Sequence, residues 1–274
     1  MAITSADIVK LRTATGAGMM DCKSALTEAD GDFDRAVKII REKGKLVASK
    51  RSDREATEGV VLAGISGNNQ FGAVVVLNCE TDFVAKNEGF IGLTKKFLDS
   101  TINEKPADLD ALKALPLEGR TIGDQVTEQI GIIGEKLDLS FYGKIDAPFV
   151  IQYIHPGNKL ATVVGFNKVI DASVSKDIAM QVAAMKPVAV DEKDVPQSVI
   201  DEELEIAKEK FRLEGKPENM LDKIAQGALQ KFFKESTLLN QAFIKESKQT
   251  VRDYLKSVDK DLSVTGFVRY GLGE

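Results

Sequence analysis

The hydrophobic period of this 274-residue chain changes at Gly59, and that change limits the fold more than any other feature. Before it, apolar residues recur at the three- and four-residue spacings of helices; after it, the two-residue alternation of strands appears. Upstream, Thr4 with Asp7 three residues later has the form of a capping box, opening a helix with Ile8 and Leu11 on one face. Gly16-Ala17-Gly18 breaks that helix. Cys22, Ala25, Leu26 and Ala29 form the stripe of a second helix, which Gly31 ends. Asp32 then caps a third, with Phe33, Ala36, Val37 and Ile40 on one side and Gly44 as its expected stop. A single short helix is marginal in water, so the three stripes must cover one another. Residues 1–48 are therefore expected to form a three-helix module. Residues 49–57, with Lys50, Arg51, Asp53, Arg54 and Glu55 and little that is apolar, read as a solvated linker.

Downstream, Val60–Ile65 and Phe71–Asn78 flank Gly67-Asn68-Asn69 as a hairpin. A helix follows with Phe90, Leu93, Phe97 and Leu98 on one face, then another over Ile122–Ile133. A strand then places Leu137, Leu139, Phe141 and Ile145 inward and Asp138, Ser140, Tyr142 and Lys144 outward. The order recurs. Phe149–Ile154 and Leu160–Phe166 flank Pro156-Gly157-Asn158. A helix with Ile178, Val182 and Met185, another with Val251, Tyr254, Leu255 and Val258, and a strand from Leu262 to Tyr270 complete the second copy. The expected fold is α+β: an N-terminal three-helix domain and two related α+β core subdomains of the order β-β-α-α-β, over 58–146 and over 147–187 with 236–274. The insert at 188–235 carries Ile200, Leu204, Ala207 and Phe211, then Leu221, Ala225, Ala228 and Phe232, two short seams joined across Gly215-Lys216-Pro217. It reads as an inserted antiparallel helical hairpin.

Several functions are disfavoured by composition. The net charge of −5 argues against nucleic acid as a direct partner, because phosphate neutralisation needs a basic surface. The chain has one histidine and two cysteines, Cys22 and Cys79, without a CxxC spacing, so no His/Cys metal site and no metal or other cofactor is expected. The cysteines are expected as reduced thiols. The apolar runs Ala73–Leu77 and Phe149–Ile154 are too short to span a bilayer, and the start has neither signal-peptide nor transit-peptide character, so a cytoplasmic protein without a membrane partner is expected.

Four motifs admit both bland and functional readings. Thr15-Gly16-Ala17-Gly18 lacks the preceding strand and the Gly-Lys-Ser/Thr ending of a phosphate loop, and a helix stop explains it. Met19 and Met20 point about 100° apart on a helix, so either one packs inward or both offer adaptable thioethers to a partner. In Asn78-Cys79-Glu80-Thr81-Asp82-Phe83-Val84, Phe83 is either a staple over the next helix with Asp82 as its cap, or a presented aromatic wedge beside a carboxylate. His155, at the tip of the second hairpin, reads by itself as a turn residue. No catalytic residue stands out, and a carboxylate enzyme is the weakest of the functions considered.

Leu11-Arg12, Thr15 to Lys23 and Ala25-Leu26 resemble the N-terminal signature of the bacterial elongation factor Ts family, and Asn78 to Ala85 resembles its second signature. Weaker echoes run through Ile133-Gly134-Glu135, Lys186-Pro187, Gly215-Lys216-Pro217 and Phe267-Val268-Arg269, so the resemblance covers the chain in order. It implies a ubiquitin-associated-like first domain and guanine nucleotide exchange on elongation factor Tu, a GTPase. Thr81, Asp82, Phe83 and Val84 would enter the partner's GTPase domain and disturb its Mg²⁺ site. Leu11, Arg12, Met19 and Met20 would rest on another helix of that domain, and His155 would approach one of its β-barrel domains. Two departures accompany the resemblance. Familiar members continue past the equivalent of Gly273-Glu274 into a further helix that touches the partner, a contact expected to be absent here. Lys136 stands where a polar amide is usual. A plain binding module remains the rival reading, and self-association through the helical hairpin stays open.

Overall fold

The computed structural model describes residues 3–274; Met1 and Ala2, with which the expected first module begins, lie outside the described residues. Helix α1 (Ser5–Thr15) opens on the capping box expected for it: Thr4 Oγ1 accepts from Asp7 N at 3.2 Å, and Asp7 Oδ2 accepts from Thr4 N at 3.0 Å. It ends at Gly16, whose φ of +72° suits a residue without a Cβ. Helix α2 (Met19–Glu28) follows, and Asp32 caps α3 (Phe33–Lys50) by accepting from Arg35 N at 2.8 Å. Leu11, Cys22, Ala25, Leu26, Ala36 and Ile39 close a common apolar core, as three mutually dependent stripes require.

The chain continues through β1 (Glu58–Ile65), β2 (Phe71–Cys79), α4 (Asp82–Ala85), α5 (Glu88–Glu104) and α6 (Leu109–Ala114). A short ribbon of β3 (Pro116–Leu117) and β4 (Arg120–Thr121) leads into α7 (Ile122–Ile133) and β5 (Asp138–Asp146). Then come β6 (Phe149–Ile154), β7 (Leu160–Phe166), α8 (Ala172–Met185) and a 3₁₀ turn at Glu192–Asp194. Helices α9 (Gln197–Leu213) and α10 (Glu218–Ser236) form the inserted hairpin. The chain closes with β8 (Ala242–Phe243), β9 (Glu246–Thr250), α11 (Val251–Val258) and β10 (Val264–Gly271).

Two three-stranded sheets share one topology. In each, a hairpin is followed by helices and the last strand joins the far side of the hairpin's second strand, giving the orders β1-β2-β5 and β6-β7-β10. In the second sheet the antiparallel register sets Ile151 against Val164 and Val268 against Val163. The fold is α+β, with an N-terminal helical domain. By packing, the chain divides into two compact units, one of residues up to Leu62 with Val75–Tyr142 and Leu272–Glu274, the other of Ala63–Val74 with Gly143–Gly271.

Within the first unit, α3 does not stop at Gly44. The helix runs on to Lys50 because Gly44 faces Gly131 of α7, and the two backbones cross without side chains between them. The expected linker therefore begins inside a helix. Along β5, Leu139 is buried as expected, but Phe141 and Ile145 are only half-buried.

Within the second unit, Phe149, Val164, Phe166, Ile178, Val182, Val251 and Leu255 build the core. Met185 and Val258, expected inward, lie at the ends of their helices and are exposed, because the stripe drifts off the buried face there. On α10 Leu221 and Ala225 are buried as expected, followed by Leu229 and Phe233, while Ala228 and Phe232 are half-buried, Phe232 packing against the same cluster. Leu229 and Phe233 cluster with Ala189 and Val195 at the root of the hairpin. There Leu238 N donates to Ala189 O at 2.9 Å and Val188 N to Ser236 O at 2.8 Å, so the chain leaves and re-enters the body side by side.

Candidate partner-binding site

The segment after β2 is built around the single turn α4. Thr81, not Asp82, is its cap, with Oγ1 accepting from Val84 N at 3.5 Å. Asp82 is the first helical residue, where a carboxylate favours the positive end of the helix, and it pairs with Lys86 at 2.6 Å. Phe83 is 83% exposed. The staple reading therefore falls: the ring is exposed, and with Thr81 as cap Phe83 is the second helical residue, outside the two positions that a staple joins. Thr81 and Val84 are partly buried, and beside Phe83 they border an open recess of about 390 Å³ reaching Asn87, Phe90, Ile133 and Glu135.

Two carboxylates hold this turn from opposite directions. Glu135, just beyond α7, accepts at Oε2 from the N–H groups of Glu80 (3.1 Å) and Thr81 (3.0 Å), and at Oε1 from the Thr81 hydroxyl (2.7 Å). Glu80 accepts in return from Lys136 N (2.6 Å), Arg51 Nη1 (2.7 Å) and Arg54 Nη1 (3.1 Å). Lys136 Nζ reaches back to the carbonyls of Ser52 and Arg54, both at 2.7 Å. The supposed linker is thus tied down by charge-assisted hydrogen bonds, and Lys136, the departure from the usual amide, supplies two of them. Donation by the Lys136 N–H, reinforced by the Arg51 and Arg54 guanidinium groups against the opposing effect of burial, holds the Glu80 carboxyl down to about 2. Next to it, burial and the neighbouring Glu135 and Glu58 push the Cys79 thiol up to about 12, and its Sγ donates to Thr81 O at 3.1 Å. That thiol is neutral and unreactive at physiological pH.

The other expected contact residues are placed unequally. Arg12 is exposed in the last turn of α1. Met19 and Met20 open α2 with 39% and 75% of their surface exposed, so Met20 stands out into solvent and Met19 is partly covered. Leu11 is the correction: it is fully buried among the three helices and offers nothing to a partner in this conformation. It is part of the scaffold beneath Arg12, brought into the expected set by its place in a motif. In the other unit, His155 is exposed at the hairpin tip, with Nδ1 3.0 Å from Tyr153 Oη. Among the described residues no group of three or more His, Cys, Asp or Glu side chains is placed to hold a metal ion, and no helix is long and apolar enough to cross a membrane.

Sequence reasoning missed Arg51, Arg54, Glu80, Glu135 and Lys136. Arg51 and Arg54 were visible only as linker charge; Glu80 and Glu135 stood inside matched motifs and Lys136 as a departure beside one, with nothing in the sequence to pair them.

Comparison with known proteins identifies the family of the chain. The family model described as Elongation factor TS matches residues 80–274, a span that begins at Glu80. A protein named Elongation factor Ts from Porphyromonas gingivalis is 56% identical over 273 residues, covering 99% of both chains. Proteins of the same name from Christiangramia forsetii and Flavobacterium psychrophilum are 52% and 48% identical, again with 99% of both chains aligned. With most of its length matched by the family model and nearly all of it by these relatives, the chain belongs to the elongation factor Ts family of translation elongation factors.

Proposed function

We propose that this protein is a cytoplasmic guanine nucleotide exchange factor for elongation factor Tu, acting by protein binding rather than covalent catalysis. The observation that carries the reading is Phe83, an aromatic side chain 83% exposed on a short turn held by hydrogen bonds and by the buried Ala85. Exposed aromatics at the centre of a patch are the usual anchors of protein interfaces. Asp82 and Phe83 enter the partner's GTPase domain and disturb the Mg²⁺ and phosphate site, with Thr81 and Val84 supporting them. Because Mg²⁺ neutralises the diphosphate oxygens, its displacement weakens nucleotide binding. Reciprocity does the rest: a factor that prefers the nucleotide-free partner lowers the partner's affinity for GDP by the same factor.

In this scheme residues 1–48 grip the partner through Arg12, Met19 and Met20, whose flexible thioethers adapt to an apolar surface. Residues 58–146 carry the wedge, and 147–187 with 236–274 carry His155 toward the partner's β-barrel domain. The insert at 188–235 is an appended arm.

The test is release of labelled GDP from purified elongation factor Tu, with wild type and with Phe83→Ala. Wild type should accelerate release, and Phe83→Ala should lose at least about 30-fold, the equivalent of roughly 2 kcal/mol for a central anchor. About a sixth of the residue's surface is covered, and full burial removes about 200 Å² of an aromatic side chain from solvent, so truncation should cost under about 1 kcal/mol of folding stability. No acceleration by wild type would sink the proposed function. Intact exchange by Phe83→Ala would sink only the wedge.

A further inference from the structure

We infer that Glu80 and Glu135 are positioning residues: their crossed carboxylates fix the backbone from which Phe83 projects, and Arg51 ties that backbone to the end of α3. The inference rests on Phe83 being the exchange wedge and deepens that reading.

The argument begins with what cannot position Phe83. Helix α4 is four residues long, and a single turn is not stable by its own hydrogen bonds. The ring is not buried, and of the four residues only Ala85 is, so core packing fixes one point of the turn and leaves its rotation to the polar contacts. Just before α4, the backbone N–H groups of Glu80 and Thr81 go to the side chain of Glu135. Thr81 is the pivot, because its hydroxyl donates to Glu135 Oε1 at 2.7 Å while accepting from Val84 N. Glu135 therefore orients the cap, and the cap orients the turn that carries Phe83.

The reciprocal half closes the device. Glu80 is on the clamped segment, and its side chain, 15% exposed, accepts from Lys136 N and Arg51. Neither segment can slide without stranding the carboxylate of the other, which is costly for a charge largely removed from water. Arg51 caps the C-terminal end of α3, and Glu135 follows the Gly134 cap of α7. These two helices meet at Gly44 and Gly131. The turn is thus mounted on the ends of two helices that are themselves locked together. A rigid anchor enters a partner without first losing its own conformational freedom, so the clamp should favour exchange without adding a contact.

The chain has no tryptophan, so Phe83→Trp provides a single tryptophan at the wedge, excited at wavelengths beyond the absorption of the four tyrosines. Its anisotropy in the free, full-length protein should fall when Glu135→Gln is added, because the amide presents one acceptor oxygen where the carboxylate presents two. Arg51→Met should give a smaller fall in the same direction. In GDP release on the otherwise native chain, Glu135→Ala should lower the maximal rate about tenfold with little change in half-saturation. Combined with Phe83→Ala, it should cost clearly less than the tenfold it costs alone, since most of its effect passes through the ring and only the part passing through Asp82 remains. Unchanged anisotropy, or losses that multiply in the double variant, would overturn the positioning role. So would a rate loss matched by the unfolded fraction at the assay temperature. If Phe83→Ala itself exchanges normally, the wedge reading fails and this inference with it. If Phe83→Ala is slow while Glu135→Gln and Glu135→Ala behave as wild type, only this inference falls.

Discussion

Replacing Gly131 with alanine tests the crossing of α3 and α7, and its neighbour Gly44 supplies a contrast of opposite sign. A Cβ on Gly131 would fall well inside 3.0 Å of Gly44 Cα, with Gly44 N at 3.3 Å and Gly44 C at 3.6 Å. All three atoms are backbone, so no rotamer relieves the clash, and the helices must part by about 1 Å or more to restore van der Waals distance. A Cβ on Gly44 would instead meet Glu128 Cα, Glu128 O and Gly131 Cα, each at 3.8 Å, which is ordinary contact. In a helix interior, Gly→Ala is worth about 1 kcal/mol in helix propensity at either site. At Gly131 an overpacking cost of about 1–3 kcal/mol opposes that gain. Separation of the helices would also strain the Glu128 carboxylate, which holds Arg41 at 3.0 Å and also pairs with Arg120. The expected net is a loss of up to about 2 kcal/mol for Gly131→Ala, with a gain of up to about 1 kcal/mol for Gly44→Ala. Gly227 of α10 has no heavy atom within 4 Å of its would-be Cβ, so Gly227→Ala calibrates the propensity gain alone. Thermal melting followed by circular dichroism reads all three, at about 2–4 °C per kcal/mol for a chain of this size. If Gly131→Ala melts at or above the wild-type temperature, or Gly44→Ala is equally damaging, the two glycines do not make the close crossing described here.

Two further outcomes follow from the same contacts. The Glu80 carboxyl lies well below its ordinary 4.5 in the folded chain, so its contribution is complete above that value and is lost as pH falls toward about 2. The melting-temperature advantage of wild type over Glu80→Gln should therefore shrink between about pH 5 and pH 2, and an advantage that stays constant would refute the assignment. The root of the inserted hairpin brings residues 188–190 beside 236–239, so excising 192–234 and joining the stubs with a short glycine linker should leave a body that melts cooperatively. Loss of that transition would show that Leu229 and Phe233 support the body and not only the arm.

What the sequence made legible was whatever is settled within a few residues of chain. The caps at Thr4 and Asp32, the stop at Gly16, the span of α7 and both hairpins obey a local period or a local hydrogen bond, so they could be placed without knowing the rest of the fold. The strand β9, Glu246–Thr250, was missed because Glu-Ser-Lys-Gln-Thr carries no apolar alternation. Gly44 failed for a different reason. A glycine that ends a helix and a glycine that lets a second backbone approach are the same letter, and the atom that decides between them belongs to Gly131, far along the chain. The candidate site repeats that lesson at higher stakes. Phe83 is exposed while Thr81 rather than Asp82 caps the turn, and with either cap the ring stands outside the two positions a staple joins. The motif allowed both caps, since threonine and aspartate are both favoured at that position. What it did not contain was the use made of Glu80, whose partners come from the ends of α3 and α7. A periodic pattern reports which residues leave water, and a wedge is a residue that stays in it. Its position must therefore be maintained by polar contacts between distant segments, and these are the contacts a one-dimensional pattern is least able to show.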